Sequence, residues 1–111
     1  YRTLTEETQL CHGITLIPTP GHTPDHVAVR LGKKGADALA TGDLIHSPLQ
    51  TRYPEISMRA DSDPVQAAAT RRRVMECACD TATILCFGHF PSPSRGRIKR
   101  WGEGFRAEGV E

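Results

Sequence analysis

The sequence predicts an α/β (α+β) fold in which a mixed or antiparallel β-sheet packs against one main helix. Short apolar runs recur along the chain, bounded by glycine, proline or polar turn residues, and this pattern is typical of strands joined by tight turns. One longer stretch, about 64–79, instead carries apolar residues at helical spacing. With 111 residues, the chain has room for one domain with a modest core.

The predicted strands are organised around a loop rich in proline and glycine at residues 18–26. They are residues 14–18, 26–32, 36–41, 83–87, 97–101 and 103–106. The run Thr83-Ile84-Leu85-Cys86-Phe87 is almost continuously apolar, which is typical of a strand buried on both faces of the sheet. Residues 1–13 are polar and 44–60 are predicted to be irregular or partly extended, as is the loop at 91–94. The polar tail from Ala107 is expected to fray.

The main helix has a strong start signal in Asp61-Ser62-Asp63-Pro64. A polar cap residue followed by proline at the first helical position favours helix initiation, and acidic residues there suit the helix dipole. The apolar stripe predicted along the helix consists of Ala67, Ala68, Arg71, Val74, Met75 and Ala78. We interpret the run Arg71-Arg72-Arg73 as a solvated face.

Composition excludes several classes of function. The net charge of +1 gives no electrostatic case for nucleic acid, and no apolar run is long enough to span a membrane. The four cysteines are too few and too irregular for a disulfide scaffold, so we expect buried or semi-buried free thiols in a reducing compartment and a cytoplasmic location. The opening Tyr1-Arg2-Thr3 has no initiator methionine, and we expect a longer parent protein.

Three apolar strands each end in a turn that carries a potential metal ligand: Gly21-His22, Gly42-Asp43 and Gly88-His89. Strands that end at the same edge of a sheet place their following residues in one cleft. Two imidazoles and a carboxylate suit zinc, manganese, iron or cobalt. Each residue alone is more often structural, since a lone Gly-Asp is usually a turn, but the repetition brings the metal-site interpretation level with the structural one.

These motifs resemble the C-terminal half of metallo-β-lactamase-fold hydrolases. The matching runs are Thr-Pro-Gly-His-Thr-Pro-Asp-His at 19–26, Thr-Gly-Asp at 41–43 and Gly-His at 88–89. The match covers nearly the whole chain. It implies half of an αββα sandwich, in which residues 1–111 form a single partial domain.

More narrowly, the chain resembles the branch that contains methyl parathion hydrolase and related lactonases. The residues that carry this likeness are Gly-Asp-Leu-Ile-His at 42–46, Asp-Ser-Asp-Pro at 61–64, and His-Phe-Pro-Ser-Pro-Ser-Arg-Gly-Arg-Ile at 89–98. Substrates implied by the resemblance are esters, lactones or phosphotriesters.

The resemblance also implies roles for five residues. His22 would bind the first metal ion, Asp43 would bridge both ions and act in catalysis, and His89 would bind the second. His26 would hydrogen-bond and orient neighbouring groups. His46 would lie near the mouth of the cleft, either contacting substrate or serving a structural or solvent-exposed role.

Two further groups of polar residues are ascribed to the surface or to helix capping. Asp61 and Asp63 are expected to cap the main helix rather than touch metal. A basic set could attract an anionic substrate, although a solvated face is the default interpretation. The set is Arg95, Arg97, Lys99 and Arg100.

The family's first-half motif, His-x-His-x-Asp-His, occurs nowhere in the sequence. In an intact enzyme, two divalent ions (zinc, or manganese, iron or cobalt) would bridge a hydroxide that cleaves the substrate. The chain would then need a missing N-terminal half, or self-association, to cover the apolar inner face of its half sheet. Two alternatives stay open: a non-catalytic structural or oligomerising half-domain, and a mononuclear metal-binding module.

Overall fold

One seven-stranded sheet carries one long helix in the computed structural model, which describes residues 6–57, 59–90 and 94–109. The strands are β1 (Thr8–Cys11), β2 (Ile14–Pro18), β3 (Val27–Leu31), β4 (Ala38–Ala40), β5 (Ile84–Cys86), β6 (Arg95–Trp101) and β7 (Gly104–Gly109). They lie side by side in chain order. Every neighbouring pair is antiparallel except β4 and β5, which are parallel. The predicted α/β class with a mixed sheet is therefore confirmed.

The long helix, α2 (Pro64–Ala78), forms the crossover between β4 and β5 and ends one residue before the predicted boundary. Two parallel strands need such a crossover, because the chain must return to the end at which the first strand began, and a tight turn cannot cover that distance. Asp63 caps the helix, since its Oδ1 accepts a hydrogen bond from the Gln66 amide at 3.0 Å. No helix in the described part of the chain is long and apolar enough to cross a membrane.

Three segments differ from the sequence-based expectation. The polar start of the chain contains β1, which is held by its ladder to β2 rather than by an apolar pattern of its own. A 3₁₀ turn at Gly42–Leu44 leads into the segment expected to be irregular, and that segment contains a one-turn helix, α1 (Leu49–Arg52), which is too short to show periodicity. The tail expected to fray from Ala107 continues as β7 to Gly109. The predicted 91–94 loop lies outside the described residues except for Ser94.

One face of the sheet packs under α2. Register places alternate residues of β2 through β7 on this face, and they join the core cluster with the apolar side of the helix. They are Ile17, Ala28, Leu39, Leu85, Ile98 and Phe105, packed with Val74, Met75 and Ala78. The core therefore lies between the sheet and α2.

The opposite face is also apolar across the middle of the sheet. Its residues pair in two register rows, and most of them are only half-buried. The rows are Leu16–Val29–Ala40–Cys86 and Ile14–Leu31–Ala38–Ile84. Leu31 is 49% exposed. This is the apolar inner face that the sequence led us to expect.

Candidate metal centre

Asp43 lies at the centre of the candidate site. It follows β4 through a turn in which Gly42 has a φ of +56°, a conformation that glycine adopts readily. Its Oδ1 accepts a hydrogen bond from His89 Nε2 at 2.8 Å and lies 3.7 Å from His46 Nε2, while its Oδ2 lies 3.5 Å from His22 Nε2. The hydrogen bond from His89, assisted by the charges of His22 and His46, lowers the pKa of the Asp43 carboxyl.

His22 is held by the loop between β2 and β3. Gly21, just before it, has a φ of +140°, and a Cβ at this position would lie 2.2 Å from the Ala67 Cα of α2. The loop therefore rests directly on the helix backbone. His22 Nδ1 lies 3.0 Å from Asp61 Oδ1, so the ring is held on one side and its Nε2 faces Asp43 on the other.

His26 supports the turn that carries Asp43. Its Nε2 accepts a hydrogen bond from the Asp43 backbone amide at 3.1 Å, and its Nδ1 lies 2.8 Å from Thr19 Oγ1. Because an amide N–H can only donate, the neutral ring must carry its proton on Nδ1 and donate it to Thr19. Burial, followed by the nearby charge of His22, lowers the pKa of His26.

His46 lies inside the cluster rather than in solvent. Its side chain is 14% exposed, and its ring stacks on that of His89 with centroids 4.8 Å apart. The solvent-exposed alternative at the cleft mouth is therefore wrong, because the turn after Asp43 folds the ring back over the site. Burial, and then the charge of His89, lowers the pKa of His46.

His46 is also a candidate metal ligand that the sequence-based set did not include. The possible ligand atoms of His22, Asp43 and His46 all lie within 4.8 Å of one another. Its spacing of three residues after Asp43, across a turn, was the available signal in the sequence. His89, by contrast, is the most exposed of these imidazoles, with 52% of its side chain accessible.

Asp61 does not cap the helix, which corrects the sequence-based expectation. Asp63 takes that role, and the fully buried Asp61 side chain faces His22 and Arg71 instead. Two acids precede Pro64, and the N-cap has room for only one side chain. The presence of a second acid before Pro64 was therefore the sequence signal that Asp61 contacts another group.

Arg71 is fully buried, so the interpretation of 71–73 as a solvated run is wrong at its first residue. It lies on the same stripe of α2 as Ala67 and Val74, because residues four and three apart share a helix face. Burial lowers the pKa of its guanidinium, and the charge of Asp61 opposes that effect. Arg72, as expected, is partly exposed and pairs with Glu55.

Two members of the basic set of β6 make ion pairs with residues outside the histidine cluster. Arg100 pairs with Glu76 of α2, and Lys99 Nζ lies 3.6 Å from Asp80 Oδ1. Arg97 is exposed. The contacts of Lys99 and Arg100 match the default interpretation of a solvated basic face.

The donor set fits a divalent metal ion. Imidazole nitrogen and carboxylate oxygen are ligands that zinc accepts, and atoms bound to one tetrahedral zinc stand about 3.3 Å apart when the bonds are about 2.0 Å. The separations of 3.5 Å and 3.7 Å from Asp43 to His22 and His46 are close to that value. Asp43 also presents different oxygens to His22 and His89, as a carboxylate shared between two ions would.

A family model described as the metallo-beta-lactamase superfamily matches residues 2–89. A comparison with curated proteins found no match.

Solved structures match nearly the whole chain. A dizinc quorum-quenching lactonase, AidC, solved with the product N-hexanoyl-L-homoserine, is 25% identical, with a TM-score of 0.85. The match covers 94% of this chain and 36% of AidC. The hydrolase AbOPH of the beta-lactamase superfamily is 27% identical, with a TM-score of 0.81 over 91% of this chain and 35% of AbOPH.

A probable metal-dependent hydrolase from Staphylococcus aureus shares the fold at 15% identity, with a TM-score of 0.70 over 97% of this chain and 40% of that protein. The chain thus spans about a third of the length of AidC and AbOPH. Its sheet and helix match part of the fold that these hydrolases share.

Proposed function

The chain belongs to the metallo-beta-lactamase superfamily, and on that premise we propose that it supplies one side of the active site of a metal-dependent hydrolase. The proposed reaction is hydrolysis of an ester, lactone or phosphotriester. His22, Asp43 and His89 are the proposed metal ligands, with His46 as a further candidate.

One observation carries this proposal: three imidazoles converge on a single carboxylate. His22, His46 and His89 each place Nε2 within 3.7 Å of an Asp43 oxygen. They come from three separate loops, each at the same edge of the sheet. A salt bridge for stability alone would need only one of them.

Divalent ions held by these side chains would supply Lewis-acid polarisation of the substrate and a water molecule activated at neutral pH. The chain's own residues prepare the site for that chemistry. Asp43 keeps its carboxylate ionised and directs its two oxygens to different imidazoles. His26 holds the Asp43 backbone amide, which limits rotation of the turn.

The substrate class is drawn from the likeness to AidC and from the cluster's chemistry. AidC is a lactonase solved with the product N-hexanoyl-L-homoserine. Metal ions bound by such a cluster would polarise the carbonyl or phosphoryl group of a substrate and so activate it. We therefore propose a small, uncharged ester, lactone or phosphotriester as substrate.

We further propose that residues outside this chain complete the site. A segment carrying His-x-His-x-Asp-His would add the remaining ligands, and its sheet would cover the apolar rows of β2 to β5. The chain spans 36% of AidC, which leaves ample length for such a segment in a protein of that size. All four cysteines are free, but Cys11 and Cys77 are exposed, so the expectation of buried or semi-buried thiols is wrong for these two. A reducing, cytoplasmic compartment stays a prediction.

The test is zinc content and hydrolysis in a protein that contains this chain together with such a segment. We expect about two zinc ions per site by elemental analysis, and hydrolysis of an acyl homoserine lactone or a p-nitrophenyl ester. Asp43→Asn should abolish hydrolysis, a fall of at least ~1000-fold, because the amide cannot serve as an anionic shared ligand. Asp80→Asn, in an exposed turn at a φ of 58° that asparagine tolerates, is the matched control. Full activity in Asp43→Asn would contradict the bridging role.

A mononuclear metal-binding module is the second candidate. It is favoured by the compact group of His22, Asp43 and His46, which needs no further segment. Zinc titration of the 111-residue chain separates the two cases. One ion bound tightly by the chain alone supports the module, whereas weak binding that a second segment strengthens supports the hydrolase.

A structural or oligomerising half-domain is the third candidate, favoured by the apolar rows opposite α2. Sedimentation velocity of the chain alone tests it. A stable dimer that binds no zinc would support this candidate against the other two.

A further inference from the structure

We infer that Asp61 and Arg71 form a buried clamp that fixes the ring and the tautomer of His22, and so aims its Nε2 at Asp43. This inference rests on the proposed metal-binding role of His22. It assigns a positioning function to two residues that sequence reasoning had placed at a helix cap and on a solvated face.

The first part of the clamp is the hydrogen bond between Asp61 and His22. The Asp61 side chain is fully buried, and its Oδ1 lies 3.0 Å from His22 Nδ1. A carboxylate can only accept, so the neutral imidazole must carry its proton on Nδ1. Nε2 is then left as a lone-pair donor facing the cleft, 3.5 Å from Asp43 Oδ2.

The second part of the clamp is the guanidinium of Arg71. A buried carboxylate is costly unless a charge compensates it, and Arg71 Nη2 lies 3.7 Å from Asp61 Oδ2, within ion-pair range. The charge of Arg71 thereby offsets part of the cost of burying the Asp61 carboxylate, whose Oδ1 faces His22. The guanidinium itself has no accessible surface, so its partners are all internal.

Arg71 also ties this pair to the segment after Asp43. Its Nε donates to the carbonyl of Leu44 at 2.8 Å, and its Nη1 donates to the carbonyl of Pro54 at 2.6 Å. Leu44 is the residue directly after Asp43. One guanidinium therefore connects α2 to the supports of both His22 and Asp43.

Two backbone hydrogen bonds lock the same loops together. The Ser62 amide donates to the His22 carbonyl at 3.0 Å, and the Asp63 amide donates to the Gly21 carbonyl at 2.8 Å. With both backbones paired, Asp61 and His22 have little freedom to separate. Removing a hydrogen-bond partner of this kind from a metal-binding histidine lowers metal affinity by about 10- to 100-fold.

The first experiment uses the metal-free wild-type chain. Long-range ¹H–¹⁵N NMR correlations report which ring nitrogen of each histidine carries the proton. We expect His22 as the Nδ1–H tautomer alone. A mixture of tautomers, or the Nε2–H form, would overturn the inference whether or not the chain binds metal.

The second experiment compares Asp61→Asn with Asp63→Asn. Asparagine at 61 cannot supply the charge that Arg71 compensates, so we expect zinc affinity, measured by competition with a chelating dye, to fall about 10- to 100-fold. The same change at 63 keeps a good helix cap and should leave zinc affinity unchanged. Wild-type zinc affinity and an unchanged His22 tautomer in Asp61→Asn would overturn the clamp.

The outcomes also separate the clamp from the proposed function. A wild-type chain that binds no zinc, yet shows a single His22 tautomer lost in Asp61→Asn, would support the clamp and count against the metal site. Tight zinc binding that is insensitive to Asp61→Asn would support the metal site and overturn the clamp. If Asp61→Asn does not fold, the wild-type tautomer decides.

Discussion

The two imidazoles on either side of Asp43 are held in different ways. His22 is 17% exposed, contacts the buried Asp61, and sits on a loop that rests against the backbone of α2. His89 is 52% exposed, hydrogen-bonds Asp43, and stacks its ring on that of His46. Both histidines follow a glycine after an apolar strand. Similar sequence signals therefore place one imidazole, His22, in a firmly held position and the other, His89, in an exposed one.

The difference indicates a division of labour within the site. A ligand with a locked ring loses little entropy when it binds an ion, which favours affinity. A ligand with an open ring can adjust when substrate or a further segment arrives. We expect the position of the His22 ring to be set by the fold. We expect the position of the His89 ring to be set by the substrate or further segment that binds beside it.

The largest difference in stability is expected when alanine replaces the glycine that precedes each histidine, which is Gly21 before His22 and Gly88 before His89. Gly21→Ala would place Cβ 2.2 Å from the Ala67 backbone at a φ of +140°, so we expect a loss of ~3 kcal/mol or more in unfolding free energy. Gly88→Ala meets nothing closer than 3.5 Å and should stay within ~1 kcal/mol of wild type. Urea unfolding of the metal-free proteins measures both. Equal losses would show that the two loops are packed alike.

A smaller difference is expected from removing each imidazole. His22→Ala removes the hydrogen bond that the ring supplies to the buried Asp61 Oδ1, at a cost of ~1–3 kcal/mol. His89→Ala removes an exposed side chain and should change stability by less than ~0.5 kcal/mol. Urea midpoints in the presence of a chelator test this, with m-values checked for constancy. A larger effect at His89 would reverse the comparison.

The smallest effect is expected from pH. Burial lowers the pKa of His26 and of His46 from the ordinary 6.5, so the unfolded chain binds these protons more readily. The stability they contribute is present above about pH 6.5 and is lost as the pH falls through their folded pKa values. Asp43, whose pKa is lowered from 3.8, stays ionised in both states near pH 6 and adds no slope there.

Unfolding of the metal-free chain at pH 7.5 and 5.5 measures this loss. His26→Gln should reduce the pH dependence more than His46→Gln, because protonating His26 would also set an N–H against the Asp43 amide. Constant stability between the two pH values would contradict the assignment.

Several elements followed directly from local sequence. Pro64 after Asp63 predicted the start of α2, and short apolar runs bounded by turn residues predicted β2 to β7, because these signals depend only on neighbouring residues. Strand β1 has no apolar alternation and exists through pairing with β2, so it could not be read locally. The motifs also predicted the superfamily, and the family match confirmed it.

Long-range placement decided the rest of the site. Sequence alone determined that His22, Asp43 and His89 each follow an apolar strand and a glycine, which is a property of short runs. Only the tertiary structure decided that Asp61, 39 residues after His22, turns inward as its partner. Arg71 belonged both to an apolar stripe and to a basic run, and burial resolved the conflict. The physical reason is that a buried charge is tolerated only where distant parts of the chain bring compensating groups to it, and no local pattern encodes that meeting.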